Sequence, residues 1–156
     1  AFLSFAEIDK NGNVNVSRFG NRNDGAGGFI NIAQGAKKVV FSGTLTGGGL
    51  STSIVKGNLK INKEGKNKKF VNKVNQITFS SKDGIKRGQS ILFNTDRGLF
   101  KIINGKITLV EVARGVRIKE DIIDQIPFKI NISKNLKKIS KNIYYEKKIG
   151  LKKKIN

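Results

Sequence analysis

The chain has no cysteine and no histidine. Without cysteine there is no disulfide, no thiolate nucleophile and no zinc ribbon. Without histidine the usual metal ligand and the usual acid–base group near neutral pH are both missing. Catalysis by these residues has to rest on carboxylates, lysines, hydroxyls or backbone amides. No run of eighteen apolar residues exists that would span a membrane as a helix, and no secretory-signal pattern opens the sequence; the expected compartment is the cytoplasm. Methionine is also absent, and the sequence opens Ala1-Phe2-Leu3-Ser4-Phe5, apolar and strand-like. That opening is expected of a fragment or of a polypeptide cut from a longer one.

Carboxylates are scarce as well: 11 Asp+Glu stand against 31 Lys+Arg, a net charge of +20. A field of that sign attracts nucleic acid, anionic membranes or polyanionic small molecules. The lysines are spread along the sequence, however, and lysine, isoleucine and asparagine are abundant together, as biased codon usage would produce. Hydrophobic residues make up 37% of 156 residues. A chain of that length buries roughly two-thirds of its unfolded surface, enough for a genuine core.

Residues 2–9 are nearly continuously apolar and predict a strand buried on both faces. Asp9-Lys10-Asn11-Gly12 reads as a turn, and Asn13-Val14-Asn15-Val16 as a short strand. A glycine-rich loop over 20–28 runs into Phe29–Gln34, which predicts a short helix, and Val39–Thr44 predicts another buried strand. Strand, glycine loop, helix, strand is α/β grammar. The second half is rich in hairpins. One turns at Lys56-Gly57-Asn58, another at Asp96-Arg97-Gly98 and a third at Asn104-Gly105. Phe70-Val71 and Val74–Phe79 continue the strand pattern, and Lys82–Gly88 predicts one or two helical turns with a glycine cap. Ile118, Ile122, Ile123 and Ile126 fall at helical spacing before Pro127. Phe19, Phe29, Phe41, Phe79 and Phe93 are spaced as core positions. Residues 1–130 are expected to form the domain and 131–156 a lysine-rich, solvated C-terminal tail.

From Asp9-Lys10-Asn11-Gly12-Asn13-Val14-Asn15-Val16-Ser17-Arg18-Phe19-Gly20 onward the sequence resembles the family I CoA-transferases of the acetate/propionate type. Gly25-Ala26-Gly27-Gly28-Phe29-Ile30-Asn31-Ile32 and Val39-Val40-Phe41-Ser42-Gly43-Thr44 carry the same resemblance. It continues through Thr95-Asp96-Arg97-Gly98-Leu99-Phe100, Glu111-Val112-Ala113-Arg114-Gly115 and Asp124-Gln125-Ile126-Pro127-Phe128. Ile139–Tyr144 and Gly150-Leu151 look like the family's extreme C-terminus. The match therefore covers essentially the whole chain, as the C-terminal part of such an enzyme. It implies a three-layer α/β fold of the CoA-transferase type, incomplete here, with a β-hairpin-rich second half.

The resemblance also implies a reaction. A glutamate carboxylate attacks an acyl-CoA thioester, passes through a mixed anhydride and becomes a glutamyl-CoA thioester, from which an incoming carboxylic acid takes the CoA. That glutamate is expected upstream of residue 1, so this chain alone is expected to be inactive. Glu7, the nearest carboxylate, reads as a surface strand-end residue. Gly25, Ala26, Gly27 and Gly28 are the expected oxyanion loop, because glycine brings backbone N–H groups close to a ligand without an intervening Cβ. Lys37 and Lys38 are weaker candidates for the CoA phosphates. No metal or organic cofactor is implied, coenzyme A being a substrate. The expected partners are an acyl-CoA, a carboxylic acid and the upstream segment, in a homo-oligomer when complete. Arg97 and Arg114 read as structural or solvated turn residues. Two competing readings are a basic module binding nucleic acid or another polyanion, and an inactive gene remnant.

Overall fold

The computed structural model describes residues 1–145. Five short strands open the chain: β1 (Phe2–Ser4), β2 (Glu7–Asp9), β3 (Val14–Asn15), β4 (Arg18–Phe19) and β5 (Arg22–Asn23). Helix α1 (Phe29–Gly35) leads into β6 (Lys38–Gly43) and β7 (Thr46–Gly47). A hairpin of β8 (Ser51–Val55) and β9 (Asn58–Lys63) follows, then β10 (Asn67–Lys68), β11 (Phe70–Val71) and helix α2 (Ser81–Lys86). The last strands are β12 (Ser90–Thr95), β13 (Gly98–Ile103), β14 (Lys106–Val112) and β15 (Asn131–Lys138).

Six of these strands form one mixed sheet in the order β1-β6-β12-β13-β14-β15. Strands β1, β6 and β12 are parallel, β13 and β14 are successive antiparallel neighbours, and β15 returns parallel to β14. The parallel strands need long crossovers, which carry α1 and α2, whereas β12–β14 form a meander joined by tight turns. Asn104 (φ 51) and Gly105 (φ 72) both take left-handed backbone, as do Lys56 (φ 50) and Gly57 (φ 74). These are the two-residue hairpin turns that the Asn-Gly and Lys-Gly dipeptides predict.

The core lies against one face of this sheet. Phe41 stacks between Phe29 and Phe93, with ring centroids 5.7 Å and 5.9 Å away, and meets Phe79 at 5.0 Å. Ile8, Val14, Ala33, Val39, Leu45, Phe70, Phe100, Leu109 and Ile122 are fully enclosed in it. Four of the five phenylalanines read as core are there, while Phe19 is half-buried and lies under the Arg22 guanidinium, 5.7 Å from the ring.

Four expectations need correction. Residues 2–9 are not one doubly buried strand: Phe5 turns the chain between β1 and β2, and Phe2 is 81% exposed. Val74–Phe79 is not a strand. It bends so that Thr78 N and Phe79 N both donate to the Val14 carbonyl and Thr78 Oγ1 accepts from Val16 N. The isoleucine-spaced stretch is a π-type turn, Ile118–Ile122, followed by a 3₁₀ turn, Ile123–Gln125, instead of an α-helix. A continuous helix would give the Asp121 carbonyl to the Gln125 N–H; the buried Arg97 takes it with Nη1 at 2.5 Å. Finally, the segment read as a lysine-rich tail begins with β15, an edge strand of the main sheet. Its Lys134, Lys137 and Lys138 face solvent while Leu136 packs against the core. The expected motif at Gly150-Leu151 lies outside the described residues.

Candidate active site

Helix α1 is clamped at its C-terminal end. Gln89, the residue before β12, donates Nε2 to the carbonyls of Ala33, Gln34 and Ala36 at 2.8, 3.3 and 2.6 Å. Those carbonyls have no partner inside a helix end, so one buried amide satisfies all three. Because Ser90 pairs with Lys38 at the start of both strands, this end of α1 sits at the amino edge of the parallel strands. Phe29, at the other end of α1, stacks on Phe41 further along β6. The helix thus runs antiparallel to β6, and Gly25–Gly28 lies toward the carboxyl edge of β1 and β6. That edge is where open α/β sheets bind ligands.

The loop is held from below and open above. Asn15 is fully buried. Its Oδ1 accepts from Ser17 N and Arg18 N at 3.0 and 3.2 Å, and its Nδ2 donates to the Arg18 carbonyl at 2.6 Å and to Glu7 Oε2 at 2.7 Å. The Ser17 carbonyl then accepts from Asp24 N and Gly25 N at 2.8 and 3.1 Å. Gly25 (φ 78) and Gly27 (φ 50) are left-handed, and a Cβ added to either would meet no atom within 4 Å. Glycine is required here by backbone angle, not by crowding. Among the described residues no acceptor meets the N–H groups of Ala26, Gly27 or Gly28. The loop presents donors to an open surface.

Glu7 is half-buried and accepts from both Asn15 Nδ2 and Asn75 N, the latter at 3.3 Å. Its carboxylate orients the asparagine beneath the glycine loop. Lys37 and Lys38 follow the C-terminal end of α1, about 10 Å of helix from the loop at 1.5 Å per residue. The structure does not bring them to the loop. Arg114 is exposed, its carbonyl accepting from Leu59 N at 2.7 Å.

Sequence reasoning missed a second cluster at the same carboxyl edge. Arg97, in the turn after β12, is fully buried. Its Nη1 and Nη2 bind Glu64 Oε2 and Oε1 at 2.8 and 2.7 Å, Nη1 also donates to the Asp121 carbonyl, and Nη2 reaches Thr46 Oγ1 at 3.3 Å. Thr46 Oγ1 donates to Glu64, and Asp96 Oδ1 accepts from Leu45 N at 2.8 Å. Four loops distant in sequence therefore meet on one guanidinium. Burial pushes the Glu64 carboxyl up, but the bonds from Arg97, Thr46 and the Gly65 N–H, with the Arg97 charge, hold it below its ordinary value. Burial likewise opposes the Arg97 charge, and its bond to Glu64 with the nearby Asp96 raises it net. No local signal marks this pair, since Glu64 and Arg97 are 33 positions apart. No histidine, cysteine or carboxylate cluster suited to a metal occurs among the described residues. A cleft of about 550 Å³ lies elsewhere, between the β8–β9 hairpin and Arg117.

No family model matches the sequence. The caffeate CoA-transferase of Acetobacterium woodii is 44% identical over 97% of this chain, and the acetate CoA-transferase YdiF of Escherichia coli K12 is 40% identical over 96%. The crystal structure of the acyl-CoA transferase YdiF apoenzyme from E. coli O157:H7 superposes on 94% of the chain with a TM-score of 0.91. The chain belongs to the CoA-transferases. It spans 30% and 28% of the length of those two curated relatives and 28% of the solved YdiF chain. The CoA-transferase segment shares its fold more widely. Glutaconate CoA-transferase from Acidaminococcus fermentans matches at a TM-score of 0.64 and 18% identity, and a decarboxylase, AibA/AibB, at 0.64 and 15%. At that distance the likeness concerns the α/β fold alone.

Proposed function

We propose that this chain forms part of an enzyme that moves CoA between an acyl-CoA and a short-chain carboxylate. The carrier is a glutamyl-CoA thioester on a glutamate outside this chain, in the upstream segment. What supports the reading is the 40–44% identity to two CoA-transferases over nearly the entire chain, with the glycine loop at the carboxyl edge of the sheet. The open N–H groups of Ala26, Gly27 and Gly28 are the donors for the thioester oxygen as it becomes negative. Preorganised amides suit that charge because they need no reorientation as it develops. Lys37 and Lys38 serve the CoA phosphates only if the ligand runs the length of α1. The two relatives' names differ in acyl group, caffeate and acetate, so the acid is assigned here only by class.

The test replaces the matching segment of the A. woodii caffeate CoA-transferase with this chain and measures CoA exchange between acetyl-CoA and propionate. The chimera is expected to turn over and the chain alone to be silent. In the chimera, Gly27→Ala is expected to lower kcat about tenfold or more, because a Cβ at φ 50 forces the loop's amides to tilt. A silent but folded chimera, or an unaffected kcat in the Gly27→Ala form, overturns the respective claim.

A further inference from the structure

Four dipeptides in this chain have the composition for a reaction that needs no enzyme: Asn11-Gly12, Asp24-Gly25, Asp83-Gly84 and Asn104-Gly105. In each, the glycine nitrogen can attack the side-chain carbonyl carbon of the residue before it, because glycine carries no Cβ to block the approach. An asparagine amide releases ammonia in that step, whereas an ionised carboxylate is a poor electrophile. The attack also requires the nitrogen to leave any acceptor it already has.

Three of the four are shut by the fold. Gly12 is buried, its N–H donates to the Asp9 carbonyl at 2.8 Å, and a Cβ placed on it would stand 2.6 Å from Ile102 Cδ1 and 3.2 Å from Phe93 Cζ. Gly25 N donates to the Ser17 carbonyl at 3.1 Å, and the Asp24 carboxylate pairs with Arg22 at 2.8 Å. Gly84 is buried in α2, its N–H donating to the Ser80 carbonyl at 2.9 Å. At these places a turn, loop or helix has to open first, and the opening equilibrium slows the reaction. Asn104-Gly105 differs on each count. Both residues are exposed in the turn between β13 and β14. Among the described residues no acceptor meets the Gly105 N–H, and a Cβ on Gly105 would meet nothing within 4 Å.

We propose that Asn104 is this chain's site of spontaneous deamidation, with water as the only co-reactant. Gly105 N bonds to Asn104 Cγ, the bond from Cγ to the side-chain nitrogen breaks, and ammonia leaves with the proton of the glycine nitrogen. Water then opens the cyclic imide. Opening at the side-chain carbonyl leaves aspartate; opening at the backbone carbonyl leaves isoaspartate, whose main chain runs through Cβ and Cγ. Either product places a carboxylate in a turn flanked by Lys101 and Lys106. Aspartate keeps the turn. Isoaspartate adds a backbone atom to a two-residue turn whose left-handed angles, φ 51 and 72, match the twist of its strands. The pairs next to it, Ile103 with Lys106 and Ile102 with the buried Ile107, take up the misfit. Since β13 runs from Gly98 at the carboxyl edge to Ile103 at the amino edge, the damage falls at the opposite end of the sheet from the glycine loop.

The test ages the purified chain in mildly alkaline buffer and digests it with trypsin. Cleavage after lysine and arginine releases Asn104 in the peptide 102–106 and Asn11 in the peptide 11–18, so mass spectrometry follows each asparagine separately. In the folded chain Asn104 is expected to convert about tenfold faster than Asn11 or more, and in concentrated urea the two rates are expected to converge. Equal rates in the folded chain, or a faster Asn11, overturn the proposal. A gap that persists undiminished in urea overturns it as well, because neighbouring residues and not the fold would then set the rates. The isoaspartate form, separated by chromatography, is expected to unfold about 2–4 °C below the Asn104→Asp variant, which has the charge without the added atom. Equal midpoints refute the effect on the turn.

Discussion

Glu64→Gln is the sharpest probe of how the carboxyl edge is held together. The substitution keeps the shape of the side chain and its acceptor for Gly65 N–H, 2.9 Å away. It removes the charge and turns one Arg97-bonded oxygen into an amide that points donors at a donor. Arg97 is then a fully buried cation whose remaining ion pair is the longer one to Asp96 Oδ2, at 3.4 Å. Breaking a buried ion pair from one side costs about 3–5 kcal/mol. The Glu64 side chain is itself one-third exposed, 33%, so water partly resolvates the site and the cost falls to the bottom of that range or just below it, about 2–3 kcal/mol. For a chain of this size that is a drop of roughly 5–10 °C in the unfolding midpoint. Urea unfolding followed by circular dichroism measures it directly. The double variant Glu64→Leu/Arg97→Met is expected to recover much of the loss, because an apolar pair of similar volume removes the desolvation cost along with the attraction. A Glu64→Gln protein within about 0.5 kcal/mol of wild type, in the range of ordinary surface changes, would refute the claim that this pair clasps the four loops.

Two further outcomes follow from the same geometry. The Glu64 and Asp121 carboxyls are both held below their ordinary values of 4.5 and 3.8, despite burial, by bonds and charge from Arg97 and Arg117 respectively. A depressed carboxyl contributes stability that is complete above its unfolded pKa and is lost as pH falls through its folded one. Unfolding free energy measured from pH 7 downward is expected to stay level until about pH 4.5 and then to fall, and the fall is expected to be shallower in Glu64→Gln. Gly65→Ala is expected to cost about 1–3 kcal/mol, because its Cβ would stand 2.4 Å from the Gly47 backbone carbonyl oxygen; denaturant midpoints check this, and a neutral result would mean the 47–65 approach is soft.

Much of the architecture is legible along the chain because it depends on neighbours in sequence. Asn104-Gly105 and Lys56-Gly57 make their turns from backbone preferences of two residues. The alternation of Val39, Phe41, Ile91 and Phe93 marks core-facing strand positions. Gly25 and Gly27 announce a loop that needs left-handed backbone, and the ordered run of motifs places the chain among the CoA-transferases before any coordinates are seen. Other features exist only once distant segments meet. A turn arginine at position 97 becomes the most buried charge because Glu64, Thr46 and the Asp121 carbonyl converge on it. The same convergence breaks the helix that isoleucine spacing predicts at 118–126. Asn15 and Gln89 read as ordinary polar residues, yet one shapes the base of the glycine loop and the other closes helix α1. The apolar stretch at 2–9 shows why the limit falls there. Hydrophobicity says that Phe2 wants cover, while only the pairing of β1 with β6 says which face it stands on and that no described element covers it. Local preference decides what a segment can be; which polar and apolar groups find partners is decided by closure of the fold.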